Sequence, residues 1–177
     1  MRTFIALKLP DPIRNRLAGY QKQIQVGSTV RWVAPQNIHL TLRFIGEINT
    51  EQLESVKNML NKITADETKF RISLGELNGF PSKSRARIIW IGIADGYERV
   101  KSLMQRINDE LRRLHIGKPE TKELIPHITL GRAKIPTPIS GPTLPQLGFV
   151  VNAVYLIESK LTPDGPIYTD IAEYKLK

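Results

Sequence analysis

Apolar residues recur along this chain at two spacings, one near 2 and one near 3.6, and each change of period marks a change of element. Phe4–Leu9 reads as a mostly buried strand that Pro10 ends. Asp11-Pro12 offers an N-cap and a first-turn proline to a helix with Ile13, Leu17, Tyr20 and Ile24 on one face, stopped by Gly27. Val30–Val33 is extended, and Ile38–Ile45 is a strand closed by Gly46. Thr50 is placed to cap a second helix whose inner face is Leu53, Val56, Leu60 and Ile63. Phe70–Leu74 and Arg87–Ile93 are strands separated by a turn-rich segment, Gly79-Phe80-Pro81-Ser82. The longest helix spans about Gly96 to Leu114, with Val100, Leu103, Ile107 and Leu111 inward and Gly117 and Pro119 beyond its end. His127–Leu130 is a strand after Pro126. The proline-rich stretch Ala133–Gly148 reads as loop, and Phe149–Ile157 and Tyr168–Leu176 close the chain as a strand pair.

The order is repeated. Strand, helix and a strand holding His39 are echoed by strand, helix and a strand holding His127, at an offset of 127 − 39 = 88 residues. Helices interleaved with strands, and a closing hairpin, predict an α+β fold with antiparallel or mixed sheets. At 177 residues the chain suits a single domain, or two small lobes sharing one core. No apolar run approaches the roughly 20 residues of a membrane helix, and the N-terminus has no signal-peptide pattern, so a cytoplasmic protein without membrane attachment is expected.

Composition narrows the chemistry. The absence of cysteine removes disulfides, thiolate zinc sites and cysteine nucleophiles. With 26 Lys+Arg against 17 Asp+Glu, the net charge is +9, which favours an anionic partner such as nucleic acid or nucleotides.

Two of the three histidines lie in near-identical settings, Ile38-His39-Leu40-Thr41-Leu42 and Pro126-His127-Ile128-Thr129-Leu130. Residues i and i+2 of a strand share a face, so each copy sets an imidazole beside a hydroxyl above aliphatic packing. If the halves pack about a twofold axis, both polar faces line one cleft. Two opposed imidazoles suit in-line displacement at phosphorus, one removing a proton and the other delivering one. The hydroxyls of Thr41 and Thr129 are suited to the non-bridging phosphate oxygens. A metal site is the competing use of these histidines. Neither motif has Asp or Glu at i+2 or i+4 and no third histidine stands at ligand spacing, so no metal and no cofactor are expected. His115, at the end of the long helix, reads as structural.

These residues resemble the LigT-like RNA 2′,3′-cyclic phosphodiesterases, historically called 2′-5′ RNA ligases, of the 2H phosphoesterase superfamily. The resemblance covers essentially the whole chain. It includes Arg31-Trp32-Val33, His39-Leu40-Thr41-Leu42, Phe44-Ile45-Gly46-Glu47, Phe80-Pro81, Arg87–Gly92, Pro126–Arg132 (Gly131 where the family often has Ala) and Gly165-Pro166-x-Tyr168. It implies a bilobal, internally duplicated α+β fold with helices outside and a central cleft. It also implies metal-free opening of the terminal 2′,3′-cyclic phosphate of RNA to a 2′-phosphate. By analogy His39 is the general acid toward the departing 3′-oxygen and His127 the general base on water. Joining of tRNA-half-like RNA ends through a 2′-5′ bond is a further activity of the family.

Around this centre, parity puts Arg43 on the His39 face, in reach of a phosphate or simply solvated. Arg132 is off parity from His127 unless Gly131 hosts a bulge; the alternative is an inter-strand salt bridge. Lys83, Arg85 and Arg87 form a basic cluster, and Trp32, Phe44, Phe80 and Tyr168 are candidates for stacking a base. A monomeric enzyme is expected. The competing class is a non-catalytic RNA- or nucleotide-binding module, or a phosphodiesterase for another cyclic nucleotide phosphate.

Overall fold

Antiparallel pairing of long strands dominates the computed structural model, which describes residues 1–177. The elements are β1 (Arg2–Lys8), α1 (Asp11–Gln21), β2 (Gln25–Val26), β3 (Val30–Trp32), β4 (His39–Glu47), α2 (Thr50–Ala65), β5 (Phe70–Phe80), β6 (Ala86–Ile93), α3 (Tyr97–Arg113), β7 (His127–Thr137), β8 (Ile139–Ser140), β9 (Gly148–Val151), β10 (Ala153–Thr162) and β11 (Gly165–Lys175). One curled sheet runs β11-β10-β1-β4-β7-β6-β5-β9, with β3 added against β7; β2 and β8 pair separately. This is the α+β architecture the element order predicts.

The duplication is visible in the register. β1 pairs with β4 and β6 with β7, and the two halves meet through one antiparallel pair, Leu40 with Ile128. These residues are also 128 − 40 = 88 apart, so a pseudo-twofold axis passes between them. Alternation then sorts the sheet into two faces. Ile5, Leu7, Leu40, Leu42, Ile89, Ile91, Ile128 and Leu130 point to one side and join α1, α2 and α3 in a single 39-residue core drawn from both halves. The opposite, uncovered face carries a small cluster of Phe4, Ala6 and Ile157 beside Tyr155 and Tyr168. No helix is long and apolar enough to cross a membrane.

Several boundaries depart from the sequence reading for identifiable reasons. Asp11 is not the N-cap of α1: Pro10 holds that position, and the Asp11 carboxylate accepts from Arg14 one turn on. In α2 the cap is Asn49 rather than Thr50, because Asn49 and Gln52 satisfy each other's backbone N–H groups in a capping box, at 2.8 and 3.0 Å. β5 continues through Gly79-Phe80. β7 likewise continues past Leu130 to Thr137, where a loop was expected. Between Arg132 and Thr137 the chain leaves β6, so Pro136 falls where no ladder N–H is required. The expected strand Phe149–Ile157 breaks at Asn152. β9 ends at one margin of the sheet and β10 begins beside β11 and β1 near the other, one residue later. Such a crossing is possible only because the sheet curls round. Hydrogen bonds from Leu176 N to Asn152 O and from Lys69 N to Lys177 O, both 2.8 Å, join its margins there.

Candidate active site

Each catalytic candidate opens a central strand. His39 follows a short 3₁₀ turn, Pro35–Asn37, and His127 follows Pro126. In both, ring Nδ1 lies 2.6 Å from the carbonyl two residues earlier, Asn37 for His39 and Ile125 for His127. A carbonyl only accepts, so Nδ1 carries the proton and Nε2 is the basic nitrogen of the neutral ring. Antiparallel pairing of Leu40 with Ile128 brings Thr129 alongside His39 and Thr41 alongside His127, on the face away from the core. The symmetry is broken in one detail. His39 Nε2 is 2.8 Å from the Thr41 hydroxyl, whereas His127 Nε2 makes no hydrogen bond within the chain.

Aromatic rings hold both imidazoles in place. His39 packs on Phe4 and against the edge of Tyr168, at ring-centre distances of 5.0 and 5.4 Å. His127 meets Phe80 at 5.1 Å and Trp90 at 5.6 Å, and those two rings stack on each other at 4.6 Å. This enclosure sets proton affinity. Burial holds His39 below the ordinary histidine range against the opposing pull of the Asn37 carbonyl, and neighbouring His127 lowers it further. Burial likewise lowers His127, opposed by the Ile125 carbonyl and reinforced by the positive charge of Arg132. At neutral pH both rings are therefore mostly uncharged in the free protein.

Two matching bulges decide which arginine reaches the cleft. On β4, Ala6 faces Thr41 but Ile5 faces Arg43, so Leu42 and Arg43 both turn to the core side. Arg43 is only 7% exposed and pairs with Glu120 at 3.1 Å and with the Lys118 carbonyl. The expectation that Arg43 shares the His39 face is thus overturned: the bulge resets parity after Thr41. Phe44 takes the cleft face instead, opposite Phe4. On β7, Trp90 faces Thr129 but Ile89 faces Gly131, so Leu130 and Gly131 share the bulge and Arg132 returns to the cleft side, exposed. Gly131 is needed there. A Cβ would come within 2.8 Å of both the Trp32 ring and Val30. Trp32 accordingly packs on the core side, not in the cleft. Lys83 and Arg85, in a short turn after Pro81, and Arg87, on β6, are exposed.

Sequence reasoning missed two cleft residues. Trp90 reads as a buried strand residue, and only its pairing opposite Thr129 places it against His127. Arg2 lies far from either motif in sequence, yet its guanidinium covers the Phe44 ring at 4.6 Å. No group of three His, Asp or Glu side chains converges anywhere in the protein to hold a metal ion.

Known proteins resemble this chain over its full length. The RNA 2′,3′-cyclic phosphodiesterase of Archaeoglobus fulgidus is 30% identical over 181 residues, spanning 99% of this chain and 100% of that protein. The protein of the same name from Aeropyrum pernix is 33% identical, over 90% of this chain and 94% of its own length. A family model described as LigT-like phosphoesterase matches residues 7–90. The chain belongs to the LigT-like phosphoesterase family. Its fold is that of TT0787 from Thermus thermophilus, at 29% identity, TM-score 0.87 and coverage of 99% and 98% of the two chains. E. coli LigT, solved with 3′-AMP, has the same fold as this LigT-like enzyme, with TM-score 0.82 at 24% identity over 99% and 97%.

Proposed function

We propose that this LigT-like phosphoesterase opens the terminal 2′,3′-cyclic phosphate of RNA to a 2′-phosphomonoester, using two histidines and no metal. The observation that carries the reading is the twofold pairing of Leu40 with Ile128, which sets two His-x-Thr units face to face. Full-length relatives bearing the name RNA 2′,3′-cyclic phosphodiesterase support the substrate class.

His127, with an unencumbered Nε2, takes a proton from the attacking water as its oxygen bonds to phosphorus. His39, protonated at Nε2, gives its proton to the 3′-oxygen as the P–O3′ bond breaks, leaving the phosphate on O2′. Thr41, Thr129 and Arg132 bear on the non-bridging oxygens, where the transition state gathers negative charge. Arrival of the anionic substrate raises the proton affinity of the nearby imidazoles. It thereby charges His39 when the charge is needed. A 5′-hydroxyl in place of water would yield a 2′-5′ bond by the same bond changes.

The test is incubation of the EDTA-treated protein with an oligoribonucleotide ending in 2′,3′-cyclic phosphate, with the product resolved as 2′- or 3′-phosphate. Metal-independent formation of the 2′-phosphate is expected. A 3′-phosphate product reverses the leaving oxygen, and activity that returns only with a divalent ion overturns the mechanism.

A further inference from the structure

Arg2 stands in the cleft, although the two-histidine chemistry has no use for it. It shares the Phe4 face of β1 and stacks over Phe44; burial raises the proton affinity of the Tyr168 hydroxyl, and the charges of Arg132 and Arg2 only partly offset that. Its Nε is buried with no acceptor in the chain. Glu47, directly opposite on β4, is engaged 2.9 Å away by the terminal amine of Met1. Arg43 Nε is likewise buried without a partner, but Arg43 is paired with Glu120 through its outer nitrogens, whereas the Arg2 guanidinium has no carboxylate partner, which leaves its outer nitrogens for an anion in the cleft.

The pseudo-twofold explains its presence. Position 44 is the equivalent of position 132, since 132 − 44 = 88, so the first half carries a phenylalanine where the second carries Arg132. Arg2 reaches over that phenylalanine from the neighbouring strand and adds a second cation near Tyr168. The two are not interchangeable. Arg132 is felt at His127, beside the reacting phosphorus. Arg2 is held over Phe44, three residues beyond Thr41 and roughly 7–10 Å further along β4. That is about one nucleotide from a phosphate held between the histidines.

We propose that Arg2 binds the phosphodiester immediately 5′ of the terminal nucleotide, so that the enzyme prefers an RNA chain to a mononucleoside 2′,3′-cyclic phosphate. This rests on the cyclic-phosphodiesterase reading above and deepens it. The specificity sits in the substrate's second phosphate rather than in its bases, because an arginine fork reads phosphate oxygens whatever the sequence.

The experiment measures kcat/KM for a dinucleotide ending in 2′,3′-cyclic phosphate and for the mononucleoside 2′,3′-cyclic phosphate, in the wild type, Arg2→Gln and Arg2→Lys. A third substrate is the dinucleotide with its internal phosphodiester replaced by a neutral methylphosphonate. Arg2→Gln should reduce the dinucleotide-to-mononucleotide ratio of kcat/KM by roughly tenfold or more, mostly through KM, with Arg2→Lys intermediate. The methylphosphonate should cost the wild type a similar factor and Arg2→Gln little, because the two changes remove one contact. A ratio within twofold of wild type in Arg2→Gln, or fully additive losses, overturns the role of Arg2 while leaving the cyclic-phosphodiesterase reading intact. Failure of the wild type to open either cyclic phosphate overturns both.

Discussion

Leu40 and Ile128 are each other's partners across β4 and β7 and each other's equivalents under the 88-residue repeat. Because a residue pair on a twofold axis maps onto itself, everything flanking it is duplicated on both sides, His39 with His127 and Thr41 with Thr129. The aliphatic pair faces the core, fully buried, and the polar quartet faces away. Position along the strand thus sets two copies of one repeated tripeptide side by side, as the proposed acid and base require.

Acid and base act in one transition state, so their losses overlap. His39→Ala and His127→Ala should each lower kcat by about 10²-fold or more, and the double variant by far less than the product. Single-turnover kinetics on a cyclic-phosphate oligonucleotide would measure this, with far-UV circular dichroism unchanged because neither ring is in the core. Near-wild-type turnover in either single variant would remove that histidine from the mechanism.

The lowered proton affinities shape the rate profile. In the free enzyme the charged imidazole needed as acid is scarce above the depressed values, so kcat/KM should decline with rising pH from below about 6.5. Bound phosphate raises the acid's affinity, and the alkaline limb of kcat should lie at higher pH than that of kcat/KM. These limbs belong to the pair of histidines together. Steady-state profiles between about pH 4.5 and 9 would show the separation; coincident limbs would contradict it.

The same burial couples stability to pH. Unfolding returns both imidazoles to about 6.5, so between that value and their lower native values the unfolded chain binds more protons than the native one. Their stabilising contribution is complete above about pH 6.5 and is lost as pH falls through the native values. A His39→Gln, His127→Gln double variant should lose Tm less steeply than wild type between about pH 7 and pH 5. Parallel Tm curves would show that other groups carry the acid sensitivity.

Arg43 separates structure from chemistry. Buried on the core side and bonded to Glu120 and Lys118, it ties β4 to the segment leading toward His127. Arg43→Ala should cost on the order of 2 kcal/mol by urea denaturation, through the lost charged hydrogen bonds and the space left behind. The salt dependence of RNA binding should keep its wild-type slope, because Arg43 does not face the cleft. A shallower slope would return Arg43 to the phosphate contacts.

The hydroxyls are predicted to differ. Thr41 bonds His39 Nε2 and Thr129 has no such bond, so Thr41→Val should displace the alkaline limb of the pH profile, which the acid sets, as well as lowering kcat roughly tenfold or more. Thr129→Val should lower kcat with the limbs in place, and Thr41→Ser should restore most of the loss. Identical pH profiles for both valine variants would make the His39–Thr41 bond irrelevant to turnover.

The histidine and threonine positions are legible in the sequence because two short strands with strict alternation carry them, and alternation is a local property. Arg43 is misread for the same reason: one extra residue at Leu42–Arg43 resets parity, and nothing in Leu-Arg-Phe announces it. Arg132 is recovered because Gly131 marks the matching bulge on β7. Helix faces follow from 3.6-residue spacing, while the ends of β5 and β7 depend on partners across the sheet. Arg2 and Trp90 are brought to the cleft only by strand pairing. No local pattern around either residue could disclose it.

A single residue, Asn152, carries the chain from one margin of the sheet to a strand near the other, and the tail after β11 is stitched to it and to the start of β5. The sheet is therefore drawn together like a collar fastened at one end. Its two halves, already hydrogen-bonded at their centre through β4 and β7, are also joined covalently at their outer margins. The curl that leaves one face of the sheet open is thus held by the covalent chain as well as by strand pairing, and the 151–153 link is a point where the fold's closure is fixed far from any histidine.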